Sequence, residues 1–179
     1  MKIVLGVTGG IACYKALEIT NDLTKKGVQV QVVMTKHATE FVTPLSFHTL
    51  SQQEVIVEQF EEKMTDPLAH INLVQNCDLF VVAPATANMI AKMAHGIADD
   101  FLSTSYLAYD GPVLIAPAMN TIMYQHQATQ KNLEILKDRG HDVLATGSGR
   151  LACGTSGEGK LLPWEEIVEE ILKYRENDK

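Results

Sequence analysis

The sequence predicts an α/β domain built on a doubly wound, mainly parallel sheet. Short, almost wholly apolar segments alternate with longer segments of helical periodicity, and small or polar residues follow each apolar segment. A strand without polar alternation is typical of a sheet that is covered on both faces, and such sheets are mostly parallel. Repeated alternation of strands and helices therefore indicates a single Rossmann-like or flavodoxin-like domain.

Five apolar segments are expected to form the strands. The chain opens on the first of them, and the second is rich in valine. The third and fourth are nearly all apolar, whereas the fifth is weaker. The expected strands are Lys2–Thr8, Val28–Met34, Asp78–Ala83, Val113–Ala116 and Asp142–Ala145.

Five segments between and after the strands are expected to form helices. The first places Ala, Leu and Ile at helical spacing and stops before Gly27, and the fourth stops before Gly140. Gly96 separates the second from the third, and Pro163 stands near the first turn of the last. The expected helices are Ile11–Lys26, Thr86–His95, Ala98–Tyr109, Thr121–Arg139 and Pro163–Arg175.

The composition is that of an acidic domain that can support its own core. The chain has 179 residues, of which 46% are hydrophobic, and a formal net charge of -7. A chain of this length buries roughly 70% of the surface that it exposes when unfolded. Because the charge balance is acidic, we expect no nucleic-acid partner.

Three cysteines, Cys13, Cys77 and Cys153, are widely spaced and form no CxxC pair. That spacing predicts neither a metal site nor a disulfide framework, and free thiols fit a reducing compartment. A strand-like run begins at Lys2 without a signal-peptide pattern before it, and no apolar run approaches the roughly 20 residues of a membrane span. A cytoplasmic protein without membrane association is expected.

Small and polar residues follow all five expected strands. The carboxyl ends of parallel strands lie at one edge of the sheet, where such folds bind their ligands. The segments concerned are Thr8–Gly10, Thr35–His37, Pro84–Asn88, Pro117–Asn120 and Thr146–Gly149. Any one of them is also typical of an ordinary loop, but together they predict a ligand site at this edge.

The loop that joins the first strand to the first helix contains the adjacent glycines Gly9 and Gly10. Glycine lets the backbone approach a ligand closely, and a helix N-terminus favours an anion. The loop is not GxGxxG, and the second strand ends at Thr35 and Lys36 rather than at the acidic residue that binds a ribose diol. The pattern favours a mononucleotide over NAD, with a tight turn that binds nothing as the alternative.

A glycine-rich segment over residues 147–160 is expected to form a lid over the site. Its end fits GxxxxGK, but Leu161 stands where a phosphate-binding loop needs Ser or Thr for magnesium, so ATP hydrolysis is not expected. Cys153 lies in the middle of the segment. A thiol there is either a general acid or nucleophile, or an inert side chain.

Two polar residues elsewhere are candidates for chemistry. His70 precedes an amphipathic stretch and could shuttle a proton near neutral pH, although a single histidine is also typical of a surface or satisfied core position. Asn120 follows a buried strand, where its amide could bind a carboxylate or an amide. Asn120 also suits the N-cap of the following helix, and the two roles are compatible.

Two segments of the chain match a pair of motifs. Pro84-Ala-Thr-Ala-Asn-Met89 is similar to Pro-Ala-Ser-Ala-Asn-Thr, and Pro117-Ala-Met-Asn-Thr-Ile-Met-Tyr124 is similar to Pro-x-Met-Asn-x-x-Met-Trp. With both motifs the chain resembles the homo-oligomeric flavin-containing cysteine decarboxylases over essentially its whole length. Met89 replaces Thr and Tyr124 replaces Trp; Met still packs, and Tyr keeps an aromatic face.

The resemblance implies FMN as the cofactor and gives roles to residues of this chain. His70 matches the family's catalytic histidine, Asn120 its substrate-binding asparagine, and Cys153 the cysteine of its substrate-covering loop. Arg150 and Ala152, beside Cys153, are expected to contact the substrate. The residues expected to hold FMN are Gly9, Gly10, Ile11, Thr35, Thr86, Ala87, Asn88, Met89 and Ala118.

The chemistry of this family explains the residue types. The carboxylate of a cysteine does not leave readily, because the carbanion left behind has no electron sink. In the family, hydride transfer from the thiol-bearing carbon to the flavin gives a thioaldehyde, whose C=S group accepts the electrons when CO2 departs. In the branch that acts in coenzyme A synthesis the reduced flavin returns the hydride to the resulting enethiol and a thiol supplies a proton, so the net reaction is not oxidative.

The Ala-Cys-Gly context of Cys153 favours the coenzyme A branch, which converts 4'-phosphopantothenoylcysteine to 4'-phosphopantetheine. Arg150 or Lys160 is then expected to bind the substrate phosphate. The alternatives are an oxidative decarboxylase of a peptide's C-terminal cysteine, a flavin prenyltransferase, a non-catalytic regulatory flavoprotein and an NAD-linked oxidoreductase. The resemblance also implies a homotrimer or a dodecamer, and a separate ligase that supplies the substrate, since the chain stops at Lys179.

Overall fold

A five-stranded parallel sheet forms the centre of the protein in a computed structural model that describes residues 1–58, 68–150 and 156–176. The strands are β1 (Lys2–Val7), β2 (Gln29–Met34), β3 (Leu79–Ala85), β4 (Val113–Pro117) and β5 (Asp142–Val143). Their spatial order is β2-β1-β3-β4-β5, and every pairing in the sheet is parallel. This is the flavodoxin-like order, and it confirms the predicted fold class.

Helices cover both faces of this sheet. They are α1 (Cys13–Lys25), α2 (Lys36–Thr39), α3 (Pro44–Ser51), α4 (Ala69–Asn72), α5 (Ala87–His95), α6 (Phe101–Leu107), α7 (Thr121–Gln125), α8 (Gln127–Asp138) and α9 (Trp164–Glu176). No helix among the described residues is both long enough and apolar enough to cross a membrane.

The two faces of the sheet bury two separate groups of apolar side chains. Ile3 and Leu5 of β1 pack with residues of α1, α3 and α9 on one face. Val4 of β1 and Phe80 of β3 pack with residues of α5, α6 and α8 on the other. All seven residues of β3 are buried, which is why its sequence shows no polar alternation. Each large aliphatic or aromatic side chain buried in this way contributes about 1.5–3 kcal/mol.

One expected helix is interrupted. The sequence predicted a single helix over Thr121–Arg139, whereas the structure has α7 and α8 with a break at His126. His126 has extended backbone angles, φ -62 and ψ 133, and its Nδ1 accepts a hydrogen bond from the Ala128 backbone N–H at 3.2 Å. The imidazole therefore caps a new helix, an arrangement that apolar periodicity does not reveal.

Two further segments differ from the sequence-based expectation. Three short helices, α2, α3 and α4, occupy the region between β2 and β3, where none was predicted. The glycine-rich segment is not an open loop at its two ends, because β6 (Gly147–Arg150) and β7 (Ser156–Lys160) pair as an antiparallel ribbon. Residues 151–155 of the expected lid lie outside the described residues, and its closure stays a prediction.

Candidate functional site

Two adjacent cavities lie at the carboxyl edge of the sheet, where ligands bind in folds of this strand order. Cavity one has a volume of about 940 Å³ and extends from the ends of β1 and β2 to α5 and α6. Cavity two has a volume of about 1120 Å³ and extends from the β1–α1 loop to the β4–α7 loop, the ribbon and the start of α9. Residues that line both cavities are Gly9, Thr86, Ala87 and Met123.

Thr8 connects the ends of β1 and β3 at the wall between the cavities. Its Oγ1 donates a hydrogen bond to the Pro84 carbonyl at 2.6 Å and accepts one from the Thr86 backbone N–H at 2.9 Å. Thr8 is only 1% exposed, so water does not compete for these bonds. The hydroxyl therefore fixes the β1–α1 loop relative to the start of α5.

The side chain of Cys13 contacts the backbone of the β1–α1 loop through its sulfur. Its thiol donates a hydrogen bond to the Thr8 carbonyl at 2.9 Å, and the Gly10 backbone N–H points to the sulfur at 3.5 Å. Burial raises the pKa of the Cys13 thiol, so the group stays protonated and acts as a donor rather than as a nucleophile.

The two glycines of this loop differ in what they require. A Cβ at position 9 would lie 2.4 Å from the His37 Cβ and 2.7 Å from the His37 backbone carbon. A Cβ at position 10 would meet only the Thr86 Cγ2, at the ordinary contact distance of 3.7 Å. Position 9 therefore requires glycine, because the segment after β2 approaches it closely. Position 10 has room for a Cβ.

The Thr35 hydroxyl is a buried polar atom that has no hydrogen-bond partner among the described residues. The backbone N–H of Thr35 donates a hydrogen bond to the Val7 carbonyl at 3.0 Å. Thr35 therefore lies at the end of β2, on the wall of cavity one. A buried hydroxyl without a partner costs about 1–3 kcal/mol. A ligand with polar groups at this edge, such as the expected FMN, would satisfy it.

Thr86 begins α5 as its N-cap, and its Oγ1 accepts a hydrogen bond from the Met89 backbone N–H at 3.4 Å. The expected cofactor residues Ala87, Asn88 and Met89 form the first turn after it and line cavity one. On the other side, the Ala118 backbone N–H donates to the Ala85 carbonyl at 3.0 Å, which places Ala118 on the wall of cavity two. The structure thus assembles every residue that was expected to hold FMN along these two cavities.

The lysines of cavity one are paired with carboxylates. Lys92 Nζ lies 2.5 Å from Asp99 Oδ1 and 2.6 Å from Asp100 Oδ2, and Lys36 Nζ lies 3.6 Å from Glu58 Oε1. Burial alone would lower the pKa of Lys92, but hydrogen bonds to Asp100 and Asp99 outweigh it and raise that pKa. Burial likewise opposes ionisation of Asp100, but hydrogen bonds from Lys92 and Ser103 lower its pKa. Lys92 and Asp100 therefore both stay charged.

Asn120 lies on the wall of cavity two as the N-cap of α7, as the sequence predicted. Its Oδ1 accepts a hydrogen bond from the Ile122 backbone N–H at 2.9 Å. This bond fixes the plane of the amide, whose Nδ2 group is the donor that suits a carboxylate.

The β7 strand is fastened to the turn that carries Asn120. The Met119 backbone N–H donates to the Gly159 carbonyl at 2.8 Å, and Thr121 Oγ1 donates to the Glu158 carbonyl at 2.7 Å. Gly159 has φ +105, and a Cβ there would lie 2.6 Å from the Met119 carbonyl oxygen. Glycine at this position therefore lets the ribbon reach the site.

His70 lies apart from the two cavities. It is half-buried in α4, a helix that packs near α6, and it is not among the described residues that line either cavity. Ala152 and Cys153 lie outside the described residues, as does the side chain of Arg150. No group of three or more His, Cys, Asp or Glu side chains suited to a metal ion occurs in the described ranges.

Sequence reasoning missed several residues that line cavity two. Tyr14 and Lys15 of α1 and Trp164 of α9 lie there with Lys160, which was a candidate. The signal for Tyr14 and Lys15 was their place in the first turn after the glycine loop. No local pattern indicated that α9, more than a hundred residues from that loop, would reach the same cavity.

Comparison with known proteins gives consistent matches over nearly the whole chain. The family model "Flavoprotein" matches residues 1–176. The bifunctional coenzyme A biosynthesis protein CoaBC of Bacillus subtilis is 46% identical over 173 residues, which are 97% of this chain and 43% of that protein. The chain therefore spans less than half the length of this curated relative.

Two solved structures share the fold from end to end. A PPC decarboxylase mutant in complex with pantothenoylaminoethenethiol superimposes with a TM-score of 0.85 at 29% identity, over 98% of each chain. The FMN binding protein AtHal3 superimposes with a TM-score of 0.82 at 30% identity, over 98% of this chain and 97% of the other.

Proposed function

The chain belongs to the flavoprotein family, and on that premise we propose that it decarboxylates 4'-phosphopantothenoylcysteine to 4'-phosphopantetheine with FMN as its cofactor. One observation carries the proposal. Asn120 lines cavity two together with Gly10, Ile11 and Ala118, which are among the residues expected to hold FMN. The likeness to CoaBC and to a PPC decarboxylase supports the same reading.

The residues at the edge of the sheet fit an FMN molecule. The orphaned hydroxyl of Thr35 and the close-packed loop at Gly9 provide a polar group and a backbone surface for it. Ile11 and Ala118 add apolar contacts in cavity two. When bound, FMN supplies the two-electron acceptor and donor that this net non-oxidative decarboxylation requires.

The chain's own residues supply placement and protons. Asn120 orients the substrate carboxylate by donating from Nδ2, while its Oδ1 stays fixed by Ile122. Cys153, on the segment between β6 and β7, is proposed to donate the proton that completes the saturated product. The β7 strand that follows this segment in the chain is bonded to Met119 and Thr121, on either side of Asn120.

His70 is proposed to act in a site that is formed with a second copy of the chain. It does not line the cavities of its own chain, and the resemblance implies a homotrimer or a dodecamer. His70→Asn and Asn120→Asp subunits that are each inactive should then regain activity when they are mixed and reassembled. Mixtures that stay inactive after verified subunit exchange would assign His70 to its own chain or to no catalytic role.

The reaction is tested by mass spectrometry of 4'-phosphopantothenoylcysteine incubated with purified, FMN-loaded protein and no added reductant. Loss of one CO2 to give the saturated thiol is the expected result. Loss of CO2 and two further hydrogens would indicate an oxidative decarboxylase and remove the role of Cys153. An unchanged substrate would favour a regulatory flavoprotein or a prenyltransferase.

The setting of the reaction is part of the proposal. We expect a ligase activity to supply the substrate, and the B. subtilis relative is a bifunctional protein of which this chain matches 43%. Whether that ligase is a separate protein stays a prediction, as does the cytoplasmic location.

A further inference from the structure

Lys15 and Lys160 both line cavity two, the cavity that also contains Asn120. Among the described residues neither ammonium forms an ion pair with a carboxylate. The two lysines of cavity one, Lys36 and Lys92, are both paired. Of the lysines that line the two cavities, those without a carboxylate within ion-pair distance among the described residues therefore lie in cavity two.

Lys15 has a side-chain contact in its own helix, whereas Lys160 is positioned through the backbone beside it. Lys15 is half-buried in α1, and its Nζ lies 5.1 Å from the centre of the Tyr14 ring, within reach of a cation–π interaction. Lys160 follows Gly159, whose backbone N–H donates to Thr146 Oγ1 at 3.1 Å and whose carbonyl accepts from Met119. The backbone of Lys160 is thus fixed relative to the turn of Asn120, while its side chain can turn toward a ligand.

We propose that Lys15 and Lys160 together bind the phosphomonoester of the substrate, at the end opposite the carboxylate that Asn120 orients. This inference rests on the proposed function. The substrate has an anionic group at each end, and cavity two offers an amide donor and two ammonium groups. A phosphate dianion gains from two point charges that approach from different elements.

Other residues that line cavity two agree with this position of the phosphate. Glu165 and Glu166, in the first turn of α9, also line the cavity and would repel a phosphate. Phosphate binding is therefore expected at the lysines of α1 and β7 rather than at the start of α9. Tyr14 and Trp164 offer aromatic surface to the apolar part of the pantoate arm.

FMN carries a phosphate as well, and the two sources must be separated. Lys15 and Lys160 line cavity two and not cavity one, whereas the orphaned Thr35 hydroxyl lines cavity one. Because Gly10, Ile11 and Ala118 of the expected FMN residues also line cavity two, the FMN affinity of the lysine variants decides between the two phosphates.

The test compares two substrates that differ only in the phosphate: 4'-phosphopantothenoylcysteine and pantothenoylcysteine. Lys15→Gln, Lys160→Gln and the double variant are measured beside Lys131→Gln, whose lysine is exposed on α8 and pairs with Glu134 at 3.2 Å. Each single variant should lower kcat/KM for the phosphorylated substrate about tenfold, as expected for a charged hydrogen bond. The value for the unphosphorylated substrate should change less than twofold, and Lys131→Gln should leave both unchanged.

Three outcomes would overturn the inference. Equal losses for both substrates would mean that the lysines support the site in general, and unchanged values would place the phosphate elsewhere. A lower affinity of the apoprotein variants for FMN, with an unchanged affinity for riboflavin, would assign the lysines to the cofactor phosphate.

Calorimetric titration of the FMN-loaded protein with both compounds separates this inference from the proposed function. If the wild-type protein decarboxylates neither compound, the proposed function fails. The lysine assignment still stands if the phosphorylated compound binds more tightly and loses that advantage in the double variant, and it falls if the two compounds bind alike.

Discussion

Cavity one and cavity two share four residues but differ in how their charges are arranged. In cavity one, Lys92 forms ion pairs with two aspartates. The more exposed Lys36 forms an ion pair with Glu58. In cavity two, Lys15 and Lys160 have no carboxylate partner among the described residues. Cavity one therefore offers a ligand mainly backbone and hydroxyl groups, whereas cavity two also offers two ammonium groups outside ion pairs.

The two cavities also differ in how they are held together. The wall of cavity one is fixed by the buried bonds of Thr8 to the β3 segment. The wall of cavity two depends on β7, which is fastened to Met119 and Thr121 by two hydrogen bonds. Cavity one is thus fixed by bonds between strands of the central sheet, whereas cavity two depends on the attachment of a separate ribbon.

Asn120→Asp should have the largest effect, and only on the substrate side. Aspartate is as good an N-cap as asparagine, so α7 should be retained. Its charge would oppose the substrate carboxylate, at a cost of roughly 2–5 kcal/mol in a desolvated site. We expect kcat/KM to fall about thirtyfold or more while FMN content is unchanged. Asn21→Asp in α1 is the matched control, and an undiminished rate in Asn120→Asp would refute the placement of the carboxylate.

Gly9→Ala should damage the wall that the two cavities share. The added Cβ would lie 2.4 Å from the His37 Cβ and 2.7 Å from backbone, so the segment after β2 must move. Such overpacking costs about 1–3 kcal/mol. Denaturant unfolding of the apoprotein should show this loss for Gly9→Ala but not for Gly10→Ala, whose Cβ would make an ordinary contact. Equal stabilities of the two variants would contradict the close approach at position 9.

The sequence predicted the framework of this site better than its second cavity. Thr35 and Thr86 stand directly after apolar strands and Asn120 follows shortly after a third, and parallel strands place such residues at one edge. Trp164 could not be found in the same way, because its place in the cavity depends on how α9 packs against α1. That packing is a tertiary property of helix faces and leaves no local pattern at the residues concerned.

The helices and strands likewise include some that the sequence predicts and some that depend on tertiary contacts. Apolar strands were predicted because burial on both faces leaves a continuous apolar run. The break at His126 was missed because it depends on one imidazole that accepts a backbone hydrogen bond. The ribbon of β6 and β7 was missed because glycines provide no apolar pattern, and their pairing is stabilised by contacts with Met119 and Thr121.

Thr35→Val should weaken FMN binding without lowering the stability of the apoprotein. Removing a buried hydroxyl without a partner should leave the apoprotein as stable or stabilise it by about 1 kcal/mol. Losing a hydrogen bond to the cofactor should weaken FMN binding about threefold to tenfold. Thr24→Val is the matched control, since the Thr24 hydroxyl is also buried without a partner in the described part of the chain but lines neither cavity. If both variants bind FMN as the wild type does, Thr35 does not contact the cofactor.

Cys13 should give the smallest effect, because its thiol acts on the loop and not on a ligand. Cys13→Ala removes the donor to the Thr8 carbonyl and should weaken FMN binding a few-fold, at about 1 kcal/mol for one hydrogen bond. Cys13→Ser keeps a donor and should bind FMN more tightly than Cys13→Ala. Fluorescence titration of the apoproteins with FMN measures the difference, and equal affinities in the two variants would limit Cys13 to filling space.

The pH dependence of stability gives a second test of the same thiol. Because burial raises the pKa of Cys13, the folded state retains a proton that the unfolded chain loses above roughly pH 8.5. The stability linked to this thiol is complete below that pH and declines as the pH rises further. Burial also raises the pKa of Cys77, so the wild type should lose stability above this pH through both groups. Cys13→Ala should show a shallower decline than the wild type between pH 8.5 and 10, and an identical slope would mean that the Cys13 thiol ionises as easily in the folded protein as in the unfolded chain.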